Sequence, residues 1–242
     1  MISVVVPTYN EQDNLPVLVE KIFSALGDHP GEVVVVDDNS PDGTGEIAEK
    51  LKSRYPVQVI HREGKLGLAT AVMAGFQSAK GEILCVIDAD LSHDPALLPE
   101  MIKALDAADL AIGSRYIKGG GMKGWPKYRE FGSRFAILLS RPLTSIHDAT
   151  SGYFCFRRKV MDGVRLDPLG FKIGLEIFVK GNYSRFVELP YIFQDRQSGK
   201  SKLNKKEIFN YLKHLLKLYS WKLNHLHSFD KKSISRQNKP QS

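Results

Sequence analysis

The sequence predicts an α/β fold with a mostly parallel central sheet and helices on both of its faces. Short runs of β-branched and apolar residues alternate along the chain with segments whose apolar residues recur every three or four positions. Such runs are typical of strands that are buried on both faces, as in parallel sheets. Polar, turn-forming residues follow several of the runs directly. Alternation of this kind indicates a sheet built from βαβ units.

The first of these units lies at the amino terminus. Residues 2–6 are predicted to form a buried strand, and from Leu15 onwards the apolar residues follow the spacing of one helix face. The loop between them, "PTYNEQD" at residues 7–13, leaves the strand at its carboxyl end. Ligands of open α/β sheets bind at the carboxyl ends of the strands, so this loop is the first predicted part of a site.

The same patterns predict the elements that follow. Further strands are expected at residues 32–36, 57–60, 82–87, 110–112 and 153–156, and further helices at about 44–54, 67–79, 95–108 and 126–140. "KGGGMKGW" at residues 118–125 predicts a mobile, glycine-rich loop. We expect an α/β domain over residues 1–205, an amphipathic helix over 206–228, and a disordered basic tail over 229–242.

Composition indicates a globular protein that is not exported. The chain has 242 residues, of which 43% are hydrophobic, enough for a full core. Its two cysteines give neither a disulfide framework nor metal-ligand spacing, which favours a reducing compartment. The amino terminus lacks a signal-type leader. We therefore expect a cytoplasmic location.

The basic charge of the chain is concentrated at its carboxyl end. Residues 196–242 contain twelve Lys or Arg and two acidic residues, a net charge of +10, so residues 1–195 carry −3 of the total of +7. Such a tail attracts phosphates of nucleic acids, anionic lipids or substrates. The apolar runs of the last helix are shorter than the roughly 20 residues of a membrane span. Its apolar face is predicted either to dock on the core or to lie on an anionic membrane surface.

Two acidic pairs follow predicted strands. A carboxylate at Asp37 or Asp38 is placed to accept the N–H groups of a nucleobase or the hydroxyls of a ribose. Successive side chains of an extended backbone point to opposite sides, so Asp88 and Asp90, two residues apart, point to the same side. Two like charges placed close together raise one another's pKa. A divalent cation removes that repulsion, and oxygen ligands completed by a diphosphate suit Mg²⁺ or Mn²⁺. The competing interpretation, helix capping, explains Asp94 better than Asp88.

Basic residues in three other segments are suited to phosphate. Arg115 follows a predicted strand, and Arg129 and Ser133 are four residues apart on one helix face. Taken singly, each cation reads as a solvated surface charge. Together with the Asp pair they indicate a site for two phosphorylated partners, because guanidinium groups match phosphate oxygens and lysine adds point charge. The segment "DRQSGKSKL" adds Arg196, Lys200, Ser201 and Lys202.

The motifs, taken in order, resemble those of the polyprenyl-phosphate mannosyltransferases, which comprise the dolichyl-phosphate mannose synthases and their prokaryotic relatives. The resemblance covers residues 2–205 and is carried by "PTYNE", "VDDNSPDGT", "KLGLATA", "DADLSH", "GSRY", "GGGMKGW", "TSGY" and "SGKSKL". It implies a single Rossmann-like domain of the nucleotide-diphospho-sugar transferase (GT-A) type. It also implies transfer of mannose from GDP-mannose to a polyprenyl monophosphate with inversion at the anomeric carbon.

The resemblance further implies roles for individual residues. Asp88, Asp90 and Arg115 would be catalytic, with Asp88 and Asp90 holding Mg²⁺ or Mn²⁺ against the donor diphosphate. Some relatives add a Gln two places after the second Asp, where this chain has Ser92, as other members do. Asp148 would orient the acceptor or a lysine. The nucleotide-sugar pocket would be formed by Pro7, Tyr9, Glu11, Val35, Asp37, Asp88, Ala89, Asp90, Arg115, Arg196 and Lys202, and the acceptor-phosphate site by Arg129, Ser133 and Ser201.

The implied partners are GDP-mannose, a polyprenyl phosphate and an anionic membrane surface, reached at its cytoplasmic face by a helix or a small membrane-anchoring partner.

One alternative is the same fold using UDP-glucose or UDP-N-acetylglucosamine, with a lipid phosphate or a sugar hydroxyl as acceptor. A hydroxyl acceptor would need a general base. Another is an inactive relative that binds lipid or a partner. A nucleic-acid-binding protein would interleave basic and aromatic residues throughout, whereas residues 1–195 are slightly acidic.

Overall fold

A computed structural model describes residues 1–167, 169–170, 172–195 and 205–237, the last of these with side chains at 207–225. The strands are β1 (Ile2–Thr8), β2 (Gly31–Asp37), β3 (Val57–His61), β4 (Ile83–Val86), β5 (Leu110–Ser114), β6 (Gly121–Lys123), β7 (Phe154–Arg157), β8 (Phe186–Pro190) and β9 (Ile192–Gln194). The helices are α1 (Asn14–Leu26), α2 (Thr44–Leu51), α3 (Leu68–Ser78), α4 (Leu98–Ala104), α5 (Lys127–Ser140), α6 (Ile173–Lys180) and α7 (Lys205–Gln237).

Seven of the described strands form one sheet, in the order β3-β2-β1-β4-β7-β5-β8. Strand β7 runs antiparallel to both of its neighbours, and the other pairs are parallel. The predicted α/β class with a mostly parallel sheet is therefore confirmed. The register of β1 on β2 places Ile2 opposite Gly31 and Thr8 opposite Asp37. This register brings the first two predicted loops together at the carboxyl ends of the strands.

The core lies on both faces of the sheet because successive strand residues alternate in direction. Val4 and Val6 of β1 pack with α1 and α4, whereas Val5 between them packs on the opposite side with α3. Helix α3 approaches β1 closely at Gly75, where an added Cβ would lie 2.3 Å from Cγ1 of Val5. The continuous valine runs of β1 and β2 thus serve two apolar layers at once, as predicted for strands buried on both faces.

The structure corrects the predicted elements in the second half of the chain. The loop prediction for residues 118–125 is wrong at its centre, because β6 pairs with β9 and places Met122 opposite Phe193. Strands β8 and β9 and helix α6 were not predicted. The helix expected at 95–108 is a 3₁₀ turn over Pro95–Leu97 followed by the shorter α4.

Helix α7 extends beyond its predicted end at residue 228, and its backbone is helical to Gln237. Neither Gly nor Pro occurs between Gly199 and Pro240, so the sequence contains no strong helix breaker in this stretch. Residues 229–237 are therefore helical where disorder was expected, and residues 238–242 lie outside the described part. No helix in the described ranges combines the length and the apolar content of a membrane span.

One face of α7 docks on the protein, and several apolar side chains beside that face stay exposed. Leu215 and Leu218 are buried against a cluster that includes Leu143 and Leu175. The Tyr211 hydroxyl donates to the Ala136 carbonyl of α5 at 2.7 Å. Large apolar side chains of the helix nevertheless remain exposed, namely Ile208, Phe209, Leu212, Leu216 and Leu223. The docking interpretation is thus confirmed for one face, and an apolar face remains at the surface.

Candidate active site

A cavity of about 400 Å³ lies at the carboxyl ends of β1, β4 and β5. Its volume is in the range of small-molecule sites. The polar part of its wall includes side chains from several of the predicted motifs, and α5 and α7 supply an apolar part. The acidic and basic residues of the wall are Glu11, Asp88, Asp90, His93, Arg115, Arg129, Lys172 and Glu207. The apolar part includes Leu68, Phe135, Ala136, Leu139, Ile208 and Leu212.

Asp88 and Asp90 reach this wall from the loop after β4. The side chain of Asp88 is 32% exposed, and its Oδ2 lies 3.9 Å from Nδ1 of His93. The Asp88 N–H donates to that same Nδ1 at 3.2 Å, so Nδ1 carries no proton. Burial lowers the pKa of His93, more than the nearby carboxylates raise it, which keeps the imidazole neutral. His93 therefore fixes the backbone at Asp88 without adding a charge.

The backbone turns sharply at Asp90. Oδ1 of Asp90 accepts hydrogen bonds from the backbone N–H and the hydroxyl of Ser92, at 3.1 and 2.5 Å. Leu91 between them has a φ of 59°, a left-handed conformation that is costly for a leucine. Asn10 and Asn39 are the other non-glycine residues of the described ranges with positive φ, and they lie in the first two predicted loops. Strain of this kind concentrates at functional sites.

The pair of carboxylates, Asp88 and Asp90, fits a divalent cation whose other ligands come from substrate phosphates and water. Within the described residues, no cluster of three or more His, Cys, Asp or Glu side chains surrounds a metal position. Mg²⁺ is commonly held by one or two carboxylates together with substrate phosphates and water. Two neighbouring carboxylates in the wall of a cavity agree with that mode of binding, and the predicted ligands Asp88 and Asp90 are the residues that would supply it.

The predicted nucleotide contacts are brought together only in part. Pro7, Glu11 and Ala89 line the cavity with the Asp pair. Val35 is fully buried in the core instead. Asp37 is not among the lining residues either, and its carboxylate accepts from the hydroxyls of Thr8 and Ser40 and from the Ser40 N–H, at 3.1, 2.5 and 3.0 Å.

Two further residues of these loops form contacts of their own. Tyr9 does not line the cavity; the ammonium of Lys65 lies 3.7 Å from the centre of its ring, a cation–π contact. Asp38, which follows β2, pairs with Arg62 at 2.5 Å and accepts the Gly67 N–H at 2.8 Å. These contacts fix the "KLGLATA" loop against the end of β2.

Arg115 forms a buried ion pair that the sequence did not reveal. Its Nε and Nη2 donate to Oδ2 and Oδ1 of Asp148, both at 2.7 Å, and its backbone N–H also donates to Oδ2 at 3.0 Å. Burial acts to raise the pKa of Asp148, but the charge and hydrogen bonds of Arg115 outweigh it and hold that pKa below its usual value. Asp148 was expected to orient the acceptor or a lysine, and in the structure it holds Arg115 and also acts on the charge of Lys172.

Arg129 and Ser133 both line the cavity, one helical turn apart on α5. The guanidinium of Arg129 lies 4.5 Å from the centre of the Trp125 ring. Its Nη1 is 3.1 and 3.0 Å from the two carboxylate oxygens of Asp195. The predicted acceptor-phosphate pair is thus brought together and fixed in position. The remaining predicted phosphate contacts, Arg196, Lys200, Ser201 and Lys202, lie outside the described residues.

Sequence reasoning missed Lys172, which precedes α6 and lines the cavity. Its Nζ donates to the Thr150 carbonyl at 2.8 Å. Loss of hydration lowers the pKa of Lys172 to about 8, and the charge of Arg115 adds to this, against Asp148 and Asp88. One signal was available in the sequence. A lone lysine opens the mainly apolar run "KIGLEIF", and a charge beside a buried helix is uncommon without a partner or a function.

Known proteins with similar sequences place the chain in a family. Residues 3–165 match the sequence model described as Glycosyl transferase family 2. The chain is 48% identical over 225 residues to a dolichol-phosphate mannosyltransferase of Pyrococcus furiosus. That alignment covers 91% of this chain and 64% of the relative, so this chain spans just under two thirds of that protein. A dolichol-phosphate mannosyltransferase of Saccharomyces cerevisiae is 37% identical over 233 residues, which cover 91% of this chain and 87% of the relative.

Solved structures agree with the fold. Glucosyl-3-phosphoglycerate synthase from Mycobacterium tuberculosis, in complex with Mn²⁺, UDP and glucosyl-3-phosphoglycerate, matches with a TM-score of 0.63 and 19% identity, over 90% of this chain and 78% of that one. A mannosyltransferase from Pyrobaculum calidifontis in complex with GDP-Man and Mn²⁺ matches with a TM-score of 0.61 and 19% identity, over 89% and 64%. The predicted GT-A type fold is confirmed. The chain belongs to glycosyl transferase family 2 and, within it, to the family of dolichol-phosphate mannosyltransferases.

Proposed function

We propose that this chain transfers mannose from GDP-mannose to the phosphate of a polyprenyl monophosphate, with inversion at the anomeric carbon. The observation that carries the proposal is the composition of one cavity, which joins a carboxylate pair, three described cations and an apolar extension. The carboxylates suit the donor, the cations suit phosphate, and the apolar part suits a prenyl chain. The relatives named dolichol-phosphate mannosyltransferase, at 37% and 48% identity, support this assignment.

The donor diphosphate would lie beside Asp88 and Asp90. These carboxylates would hold Mg²⁺ or Mn²⁺, which neutralises negative charge on the leaving diphosphate. Pro7 and Glu11 from the first loop form the adjoining wall. The left-handed turn at Leu91 and the hydrogen bonds from Ser92 keep the Asp90 carboxylate in place, so little reorganisation is needed when the donor binds.

The acceptor needs no strong general base. A phosphate monoester has its second pKa near 6, so its oxygens are largely anionic at neutral pH. One of these oxygens bonds to the anomeric carbon while the bond from that carbon to the donor's β-phosphate oxygen breaks and GDP takes the electron pair. The protein has to hold two anions in line for this displacement. Arg129 and Ser133 are the residues on α5 that would hold the acceptor phosphate.

The prenyl chain would lie between α5 and α7. Side chains of both helices line the apolar part of the cavity, among them Phe135, Leu139 and Leu212. The outer face of α5 continues this apolar surface, with Tyr128, Phe131 and Leu138 at least 64% exposed. A surface of this kind beside basic residues is suited to an anionic membrane. We place the protein at the cytoplasmic face of a membrane, as a peripheral protein that reaches its lipid acceptor from the surface.

The direct test is transfer from radiolabelled GDP-mannose, UDP-glucose and UDP-N-acetylglucosamine to a short polyprenyl phosphate, with and without Mg²⁺. Label in the lipid phase from GDP-mannose alone, dependent on the metal, is the expected result. Label from a UDP-sugar instead would overturn the donor and leave the reaction class. A protein that binds both substrates without transferring label would overturn the enzymatic assignment.

A further inference from the structure

We propose that Lys172 binds the acceptor phosphate together with Arg129 and Ser133. The proposal rests on the proposed function and adds a phosphate ligand that none of the recognised motifs contains. Two features of the structure support it: the place of Lys172 in the cavity wall and the balance of charge in that wall.

The start of α6 sets the position of Lys172. Gly174 lets this helix approach the "TSGY" segment closely, since an added Cβ there would lie 2.8 Å from the Ser151 carbonyl oxygen. The approach brings Lys172 against Thr150, whose carbonyl accepts from Nζ at 2.8 Å. The hydroxyl of Thr150 in turn accepts from Nη2 of Arg115 at 3.0 Å. Lys172 is therefore tied to the same wall as Arg115 and shares the cavity with Arg129 and Ser133.

The carboxylates of the cavity wall, Glu11, Asp88, Asp90 and Glu207, outnumber its cations Arg115, Arg129 and Lys172, so a phosphate that binds there needs every cation. Arg115 and Asp148 form a bidentate pair with the side chain of each almost fully buried, so their charges largely cancel. Arg129 is shared in a similar way with Asp195. A phosphate dianion in the cavity needs more positive charge than these two pairs provide. The ammonium of Lys172 is the further described cation of the wall that can supply it.

The acid–base behaviour of Lys172 is consistent with this role. Loss of hydration and the charge of Arg115 lower its pKa to about 8, whereas Asp148 and Asp88 act in the opposite direction. A dianionic phosphate beside Nζ would also favour the protonated form. The ammonium is therefore expected to be charged whenever the acceptor is bound.

The experiment compares the wild type with Lys172→Met, Lys172→Arg and, as a matched control, Lys103→Met on the exposed surface of α4. Calorimetry measures the Kd of a short polyprenyl monophosphate and of GDP, and mannose transfer measures KM for both substrates. We expect Lys172→Met to raise Kd and KM for the phosphate at least tenfold, as expected when a charge-assisted hydrogen bond is lost. GDP binding should change less than twofold, Lys172→Arg should recover part of the loss, and Lys103→Met should match the wild type.

Several results would overturn the assignment. A phosphate Kd within twofold of wild type in Lys172→Met would remove Lys172 from the acceptor site. An equal rise in the Kd of GDP would assign the residue to the donor instead. If Lys172→Met does not fold, Lys172→Gln removes the charge in its place and is compared with Lys172→Arg, which keeps it. A wild type that binds the lipid phosphate and yet transfers no mannose would refute the proposed function, and the calorimetric comparison would still decide the role of Lys172.

Discussion

Replacing Asp148 by Asn is expected to destabilise the protein more than most single substitutions. Asp148 is fully buried and accepts three hydrogen bonds from Arg115, from N, Nε and Nη2 at 3.0, 2.7 and 2.7 Å. An Asn side chain keeps the shape but removes the charge and turns one acceptor oxygen into a donor that faces the guanidinium. Breaking one side of a buried ion pair leaves the other charge uncompensated, which costs about 3–5 kcal/mol.

That loss is large against a whole-protein stability of about 5–15 kcal/mol. For a chain of this size, each kcal/mol shifts Tm by about 2–4 °C, so we expect Asp148→Asn to lower Tm by roughly 10 °C. Urea unfolding followed by circular dichroism gives the free energy of unfolding directly. Thr150→Val is the matched control, because it removes one hydrogen bond to Arg115 and leaves the charges in place. It is expected to cost about 1 kcal/mol.

A double variant separates the loss of a contact from the exposure of an unpaired charge. Arg115→Met with Asp148→Leu removes both charges and should recover most of the stability that Asp148→Asn loses. The reasoning is refuted if Asp148→Asn unfolds within about 1 kcal/mol of wild type. It is also refuted if the double variant is as unstable as the sum of Arg115→Met and Asp148→Leu measured singly.

Three further predictions concern other parts of the molecule. Burial acts to raise the pKa of Glu176, but His214, the Asp167 N–H and Lys180 together lower it to about 2. The ionised Glu176 should therefore stabilise the fold by about 3 kcal/mol above pH 4.5, and this stabilisation should be lost as the pH falls towards 2. Urea unfolding of wild type and Glu176→Gln across this pH range measures it. A difference in the free energy of unfolding that does not change with pH would contradict the prediction. Asp90→Asn should lose metal-dependent transfer and keep its fold by circular dichroism, and full activity would remove the metal assignment. Phe209→Ser with Leu216→Ser should weaken binding to anionic vesicles several-fold without changing transfer to a water-soluble acceptor, while Val17→Ser on α1 should not; equal binding by both variants would exclude this face of α7.

The sequence predicts well those strands that can be recognised from their own residues and from the residues that follow them directly. β1, β2 and β4 are runs of β-branched or apolar residues, and each is followed by a turn and an amphipathic helix. The other half of the fold depends on pairing between distant segments. β7 enters the sheet between β4 and β5, with Cys155 opposite Cys85, and β6 pairs with a strand about 70 residues later in the chain. Glycines in "KGGGMKGW" hide the short strand there, because glycine is unfavourable in strand interiors.

The site divides in the same way. Motif positions that end strands, such as Asp88 and Arg115, could be found from the sequence, because a polar residue directly after a buried run lies at the edge of the sheet. The partners of these residues could not. Asp148 lies 33 positions from Arg115 and meets it only through the packing of β5 and β7. Asp37 stays a predicted nucleotide contact, and the sequence did not show that the register of β1 on β2 places Thr8 opposite it, with the Thr8 hydroxyl donating to its carboxylate.

Two cations of the wall, the buried Arg115 and the partly exposed Lys172, affect folding in opposite ways. Arg115 forms an ion pair with Asp148, and Lys172 has a pKa of about 8 in the folded protein, against about 10.5 when unfolded. The folded state then binds fewer protons between pH 8 and 10.5, so stability should rise with pH across this window. Below pH 8 the charged lysine costs at most about 3 kcal/mol, less the part that solvent in the cavity screens. Lys172→Met should therefore be at least as stable as wild type at pH 7, with the difference shrinking towards pH 10. A variant that is less stable at pH 7 would show that Lys172 supports the fold. A Lys172→Met variant that is more stable than wild type and binds the acceptor more weakly would show that the charge of Lys172 serves to bind the acceptor phosphate and not to stabilise the fold.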